Sequence, residues 1–133
     1  MVDSAASHAG SRRPLYGLLF LVLAVPSVVL GWHSWQVWVF AVAPDVTLLA
    51  GMGRGLAPGQ LRPAAVRYYN AAHSYWAVLA GALVLALFLT LGRLGHEGLV
   101  LWATALGAWG AHIAIDRAVG FGPRGPDGFQ RGR

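Results

Sequence analysis

Residues 98–119 read GLVLWATALGAWGAHIAIDRAV, an apolar run that ends in a histidine, an aspartate and an arginine. A helix needs about 20 mainly apolar residues to cross the roughly 30 Å hydrocarbon core of a bilayer. The run is long enough for that, and it lacks the polar face that a soluble surface helix carries. It therefore predicts a membrane-spanning helix whose last turns carry ionisable side chains.

The composition of the whole chain points the same way. Of its 133 residues, 56% are hydrophobic and only 11% are charged, which is outside the usual balance of a soluble domain. We therefore expect lipid to surround this apolar surface. The chain has no cysteine, which excludes a disulfide framework, a thiolate metal site and a cysteine nucleophile.

Three further apolar segments, residues 15–31, 35–53 and 67–91, precede the run and are joined by short connections. Four such segments predict an all-α membrane protein, with four transmembrane helices in an up-down bundle. We expect three regions: a disordered basic tail over residues 1–13, the transmembrane domain over 14–122, and a disordered Gly/Pro/Arg-rich tail over 123–133.

The arginines predict the orientation, because short cytoplasmic loops carry an excess of positive charge. The chain has ten arginines and no lysine, and Arg93 alone falls on the predicted outer side. The other nine are Arg12, Arg13, Arg54, Arg62, Arg67, Arg117, Arg124, Arg131 and Arg133. Both termini are therefore predicted to be cytoplasmic, in a multi-pass protein of the cell's inner (plasma) membrane.

The same arginines predict the partners of the chain. They are spread over several segments rather than grouped on one soluble face, which disfavours nucleic acid. Anionic lipid headgroups are the simpler partner for a net charge of +5. Other membrane subunits are a further candidate, since the apolar faces could dock against a larger complex.

Four ionisable side chains fall at matched depth in this topology. Asp45 lies in the second span, His73 in the third, and His112 and Asp116 in the fourth. At about 1.5 Å per residue, each span places its polar side chains roughly 9 to 12 Å above the cytoplasmic end. His112 and Asp116 are four residues apart and share one helix face. The side chains are therefore predicted to meet inside the bundle, because an unpaired carboxylate in hydrocarbon is costly.

Four more polar residues lie beside this set and are predicted to support it. Tyr69 and Asn70 share a helical stripe with His73, and Asn70 offers an amide oxygen as a positioning group. Ser74 follows His73 directly. Arg117 either reaches to lipid phosphate or is neutralised by Asp116.

The chemistry of the four ionisable residues leaves several interpretations open. Two imidazoles and two carboxylates form a nitrogen and oxygen ligand set for zinc or manganese. With an open coordination position, such a centre would support metal-dependent hydrolysis of a phosphoester or lipid-derived substrate at the inner leaflet. The alternatives are a hydrogen-bond and ion-pair network that fixes helix packing in a non-enzymatic accessory subunit, and a proton or ion path.

Three blocks of sequence carry a resemblance to a known family. They are PDVTLLAGM (residues 44–52), RYYNAAHSY (67–75) and AHIAIDRAVGFG (111–122). In this order they resemble the small integral membrane family catalogued as domain of unknown function 4260, over roughly residues 15–122. Phe121 stands where that family usually has a tyrosine, and Pro123 interrupts the usual continuation. The family name implies no activity.

A second resemblance is to bacterial membrane-bound metal-dependent hydrolases, which carry a Pro-Asp element and a later His-Ser pair on successive spans. Pro44 with Asp45 and His73 with Ser74 match these elements. The resemblance implies a metal centre that His112 and Asp116 would complete. The chain departs from the hydrolases before the His-Ser pair, since it has Tyr69 and Asn70 where they usually have a His-Arg pair.

Overall fold

A computed structural model describes residues 4–131 and shows an all-helical protein. The helices are α1 (Ser4–Gly31), α2 (Trp35–Gly51), α3 (Pro63–Ala72), α4 (Tyr75–Thr90) and α5 (His96–Val119). Residues 1–3 and 132–133, at the ends of the two predicted tails, lie outside the described residues.

Helix α5 is the centre of the packing. It contacts α1, α2 and α4, and α2 also contacts α3. The buried side of α5 is made mostly of small side chains, which let neighbouring backbones approach closely. Its buried apolar residues are Ala105, Ala108, Ala111, Ile113 and Ala114. The core of the protein therefore runs along α5, and the ionisable residues near its C-terminal end lie at the meeting point of the other helices.

The length and hydropathy of the helices agree with the prediction of a membrane protein. Residues 12–31 and helix α5 are each long and apolar enough to cross a bilayer, and α3 with α4 makes a third candidate if the bent pair is one span. Helix α2 is apolar but shorter, with 17 residues. Within the described residues α4 has no fully buried residue, and much of its apolar surface is exposed. Four crossings and the placement of the termini stay predictions.

The third predicted segment is two helices in the structure, and this is the main difference within the bundle. Helices α3 and α4 meet at an angle of 49°. Ser74 adopts an extended conformation between them, and its Oγ accepts a hydrogen bond from the backbone N–H of Trp76 at 3.2 Å, as in a helix N-cap. Arg117 donates to the freed carbonyl of His73 at 3.0 Å. The break is therefore stabilised on both sides.

A helix and hydrogen bonds extend into the two segments that the sequence predicts as tails. Helix α1 begins at Ser4, in keeping with the alanines of this region, which favour helix. At the other end, Gly120 ends α5 with a φ of 97°, and the following residues fold back against α3 and the loop after α2. The side chain of Asn70 donates to the carbonyl of Arg124 at 2.9 Å and accepts from its N–H at 2.8 Å. The C-terminal segment is thus a part of the folded domain up to Arg131.

Candidate metal centre

The four ionisable residues predicted to meet do so in the structure. Asp45 comes from α2, His73 from the break between α3 and α4, and His112 and Asp116 from α5. One ligand atom from each residue lies within 4.8 Å of the other three. We call this group the Asp/His cluster, and its donor set could hold a metal ion.

Five of the six distances between ligand atoms of the cluster lie between 3.3 and 3.7 Å, and the sixth, between the carboxylates of Asp45 and Asp116, is at most 4.8 Å. Nε2 of His73 lies 3.4 Å from Oδ1 of Asp45 and 3.5 Å from Oδ2 of Asp116. Nε2 of His112 lies 3.5 and 3.7 Å from the same two oxygens. The two Nε2 atoms are 3.3 Å apart. Ligands of a tetrahedral zinc ion with bonds of 2.0–2.2 Å are separated by about 3.3 to 3.6 Å.

The same distances are long for direct hydrogen bonds, which join nitrogen and oxygen at about 2.7 to 3.2 Å. The ring of His73 adds an independent constraint. Its Nδ1 lies 3.0 Å from the carbonyl oxygen of Tyr69, which can only accept, so Nδ1 carries the proton. In the neutral ring, Nε2 of His73 then turns a lone pair toward two carboxylates and the His112 nitrogen. A single proton on His112 would satisfy only part of this arrangement, whereas a central cation would satisfy all of it.

The cluster is buried on one side and open on the other. The side chains of His73 and His112 are 2% and 11% exposed, that of Asp116 is 21% exposed, and that of Asp45 is 47% exposed. The two histidines and Asp116 are thus fixed by their surroundings, while Asp45 forms the accessible edge. A catalytic metal site needs a coordination position that water can reach, and the side of Asp45 is where water has access to the cluster.

Tyr69 holds His73 through its ring as well as its carbonyl. The two rings stack with centroids 4.0 Å apart and planes 22° from parallel. The guanidinium of Arg124 lies 5.1 Å from the centre of the Tyr69 ring, within cation–π range. The sequence does not predict that Arg124 lies near the cluster, because it belongs to a Gly- and Pro-rich stretch that gives no sign of folding back.

The other predicted support residues act on the backbone rather than on the ligand atoms. The amide of Asn70 binds the backbone of Arg124, and Ser74 caps α4. Arg117 donates to the carbonyls of His73 and Phe121. Among the described residues Arg117 forms no ion pair with Asp116 within 4.0 Å, and its hydrogen bonds go to the helix break and to the end of α5.

An apolar crevice adjoins the cluster. It has a volume of about 250 Å³, and His112 forms part of its wall. The rest of the wall comes from α1, α2 and α5, including Phe20, Val37 and Trp38. His112 therefore borders both the Asp/His cluster and an apolar crevice between α1, α2 and α5.

Comparison of the chain with protein-family models, with curated proteins and with solved structures finds no match. The two resemblances noted in the sequence therefore stay predictions. Function has to be inferred from the geometry of the cluster itself.

Proposed function

We propose that the chain is a multi-pass protein of the cell's inner membrane, crossing it four times with both termini in the cytoplasm. The crossings are α1, α2, the bent pair α3 and α4, and α5. The arginine asymmetry supports this orientation, because nine of the ten arginines then lie on the cytoplasmic side. Reporter fusions after Gly53 and after Gly95 should give cytoplasmic and external signals respectively. The reverse pair of signals would refute the orientation.

We further propose that the Asp/His cluster binds one divalent metal ion. The observation that carries this proposal is the set of five ligand distances between 3.3 and 3.7 Å, together with the inward lone pair of His73. Two neutral imidazoles, two carboxylates and one divalent cation form an electrically neutral group, which suits a site within a membrane domain. The set of two imidazole nitrogens and two carboxylate oxygens favours zinc, and manganese is the alternative.

The function that this centre supports best is metal-dependent hydrolysis of a phosphoester or lipid-derived substrate at the inner leaflet. A bound divalent ion supplies Lewis-acid chemistry there, polarising a phosphoryl or carbonyl oxygen and activating water at neutral pH. His73, His112 and Asp116 are the buried ligands of the ion. Asp45 is the exposed member, and its side is where substrate and water reach the centre. The crevice beside His112 accommodates an apolar part of the substrate.

The hydrolase proposal is tested with purified protein in nanodiscs that contain phosphatidic acid or phosphatidylglycerol. Protein stripped with a chelator and then reloaded with zinc or manganese should release phosphate or the headgroup, and the stripped sample should not. His112→Ala should abolish turnover, while Asp127→Asn in the C-terminal segment serves as a control of unchanged activity. Equal turnover in stripped and reloaded protein would contradict the proposal.

A second function is favoured by the number of protein ligands. Four ligands from three parts of the chain can close a tetrahedral shell, which is the arrangement of structural zinc sites. The centre would then fix α2 and the α3–α4 break against α5 in a non-enzymatic subunit of a larger membrane complex. In that case metal loading raises thermal stability and no substrate is turned over.

A further inference from the structure

A second cavity lies away from the Asp/His cluster, between the loop after α2 and the C-terminal segment. Its volume is about 390 Å³, within the range of small-molecule sites. Its walls come from Pro58, Gly59, Phe121, Arg124, Phe129 and Gln130. No residue of the Asp/His cluster lines it, so its residues are distinct from the proposed metal ligands.

Arg124 is the charged residue of this cavity, and it is buried, with 8% of its surface exposed. Its Nη1 donates to the carbonyls of Gly59 at 2.7 Å and Gly128 at 2.9 Å. Within residues 4–131 no carboxylate lies within 4.0 Å of the guanidinium. A buried cation with only dipoles and one aromatic ring as partners is costly, and an anion is its natural complement.

Two polar atoms of residues that line the cavity are also unsatisfied. Nε of Arg124 and Oε1 of Gln130 are buried without a hydrogen-bond partner in the described part of the chain. The guanidinium can only donate, and the amide oxygen can only accept. The ligand that satisfies both carries negative charge, acceptor oxygens and one O–H donor. A phosphate group has this combination, because its second pKa is near 6 and a protonated oxygen remains available near neutral pH.

We propose that this cavity binds a phosphate group, with Arg124 as the cationic donor and Gln130 as the acceptor for the phosphate O–H. Inorganic phosphate, a soluble phosphate monoester and the headgroup of phosphatidic acid share this chemistry. Sulfate has the same shape and charge-bearing oxygens but no proton to donate at neutral pH. The site therefore prefers phosphate to sulfate by about tenfold, the value of one additional buried hydrogen bond.

The test is calorimetric titration of inorganic phosphate and of sulfate into the full chain in phosphatidylcholine nanodiscs. Wild-type protein should bind phosphate about ten times more tightly than sulfate. Gln130→Leu should remove that preference, and Gln130→Glu, which places a carboxylate beside Arg124, should abolish binding of both anions. Arg131→Gln, at an exposed neighbouring position, is the matched control and should bind as wild type.

Arg124→Gln should also abolish phosphate binding, but this variant removes contacts of the fold, so Gln130→Glu is the decisive one. Absence of phosphate binding, or equal binding by wild type and Gln130→Glu, would overturn the proposal. Repeating the titration with phosphatidic acid in the nanodiscs identifies the source of the group, since competition indicates the lipid headgroup and its absence indicates a soluble phosphate. Metal content measured on the same samples shows that a loss of phosphate binding is not a loss of the Asp/His centre.

Discussion

Replacement of Asp116 by asparagine should change stability and metal affinity in opposite directions. Without a metal ion, the Asp/His cluster brings the carboxylates of Asp45 and Asp116 within 4.8 Å of each other. Asparagine keeps the shape of Asp116 and removes its charge. It therefore relieves repulsion in the metal-free protein, and at the same time it removes one of the four carboxylate or imidazole ligands.

The two magnitudes follow from the geometry. Two unit charges 4.8 Å apart repel by about 3.5 kcal/mol at an effective dielectric constant of 20. Because the side chain of Asp45 is 47% exposed, solvent screening reduces this to about 1–2 kcal/mol. Structural zinc sites bind with apparent free energies of about 10–16 kcal/mol, so one of four ligands accounts for about 3 kcal/mol, or a roughly 100-fold loss of affinity.

The assay is thermal unfolding in detergent at pH 8, with a chelator and with zinc, on wild type, Asp116→Asn and the control Asp127→Asn. In chelator, Asp116→Asn should be more stable than wild type by about 1–2 kcal/mol. In zinc the order should reverse, because wild type gains more from binding. If Asp116 only joined a packing network, the variant would be less stable in chelator and zinc would shift neither protein, and that result would refute the reasoning.

Further predictions concern packing and the C-terminal segment. A Cβ on Gly107 would overlap Oγ of Ser27, so Gly107→Ala should destabilise the contact of α1 with α5 by about 1–3 kcal/mol in thermal unfolding. Gly17→Ala, where nothing lies within 4 Å, is the matched control and should cause no loss. Asn70→Ala removes two hydrogen bonds to the backbone of Arg124, worth about 2 kcal/mol together, so amides of residues 124–131 should exchange roughly 30-fold faster. Unchanged exchange there would show that the amide does not anchor the segment.

The meeting of the four ionisable residues could be predicted because it depends on few quantities. Arginine placement sets the direction of each helix, the helical rise sets the depth of each side chain, and the spacing of four residues puts His112 and Asp116 on one face. In the structure Asp45 and His73 lie beside His112 and Asp116, as these quantities predict. The distances between the ligand atoms do not follow from these quantities.

The break before α4 and the folded C-terminal segment could not be predicted in the same way. His73 and Ser74 lie inside an otherwise continuous apolar pattern, and the break depends on a hydrogen bond from Arg117, which is distant in sequence. The C-terminal segment is rich in Gly and Pro, and such composition is typical of disorder. Its order comes from contacts with Asn70 and with the loop after α2, which local sequence does not reveal.

The most direct test of the metal centre is X-ray absorption spectroscopy at the zinc edge, on purified protein reloaded with one equivalent of zinc. We expect one ion per chain with two imidazole nitrogens and two carboxylate oxygens at about 2.0–2.2 Å. His73→Ala should remove one imidazole from the spectrum, since His73 is a direct ligand. Protein that binds no zinc, or zinc surrounded by water oxygens alone, would contradict the account.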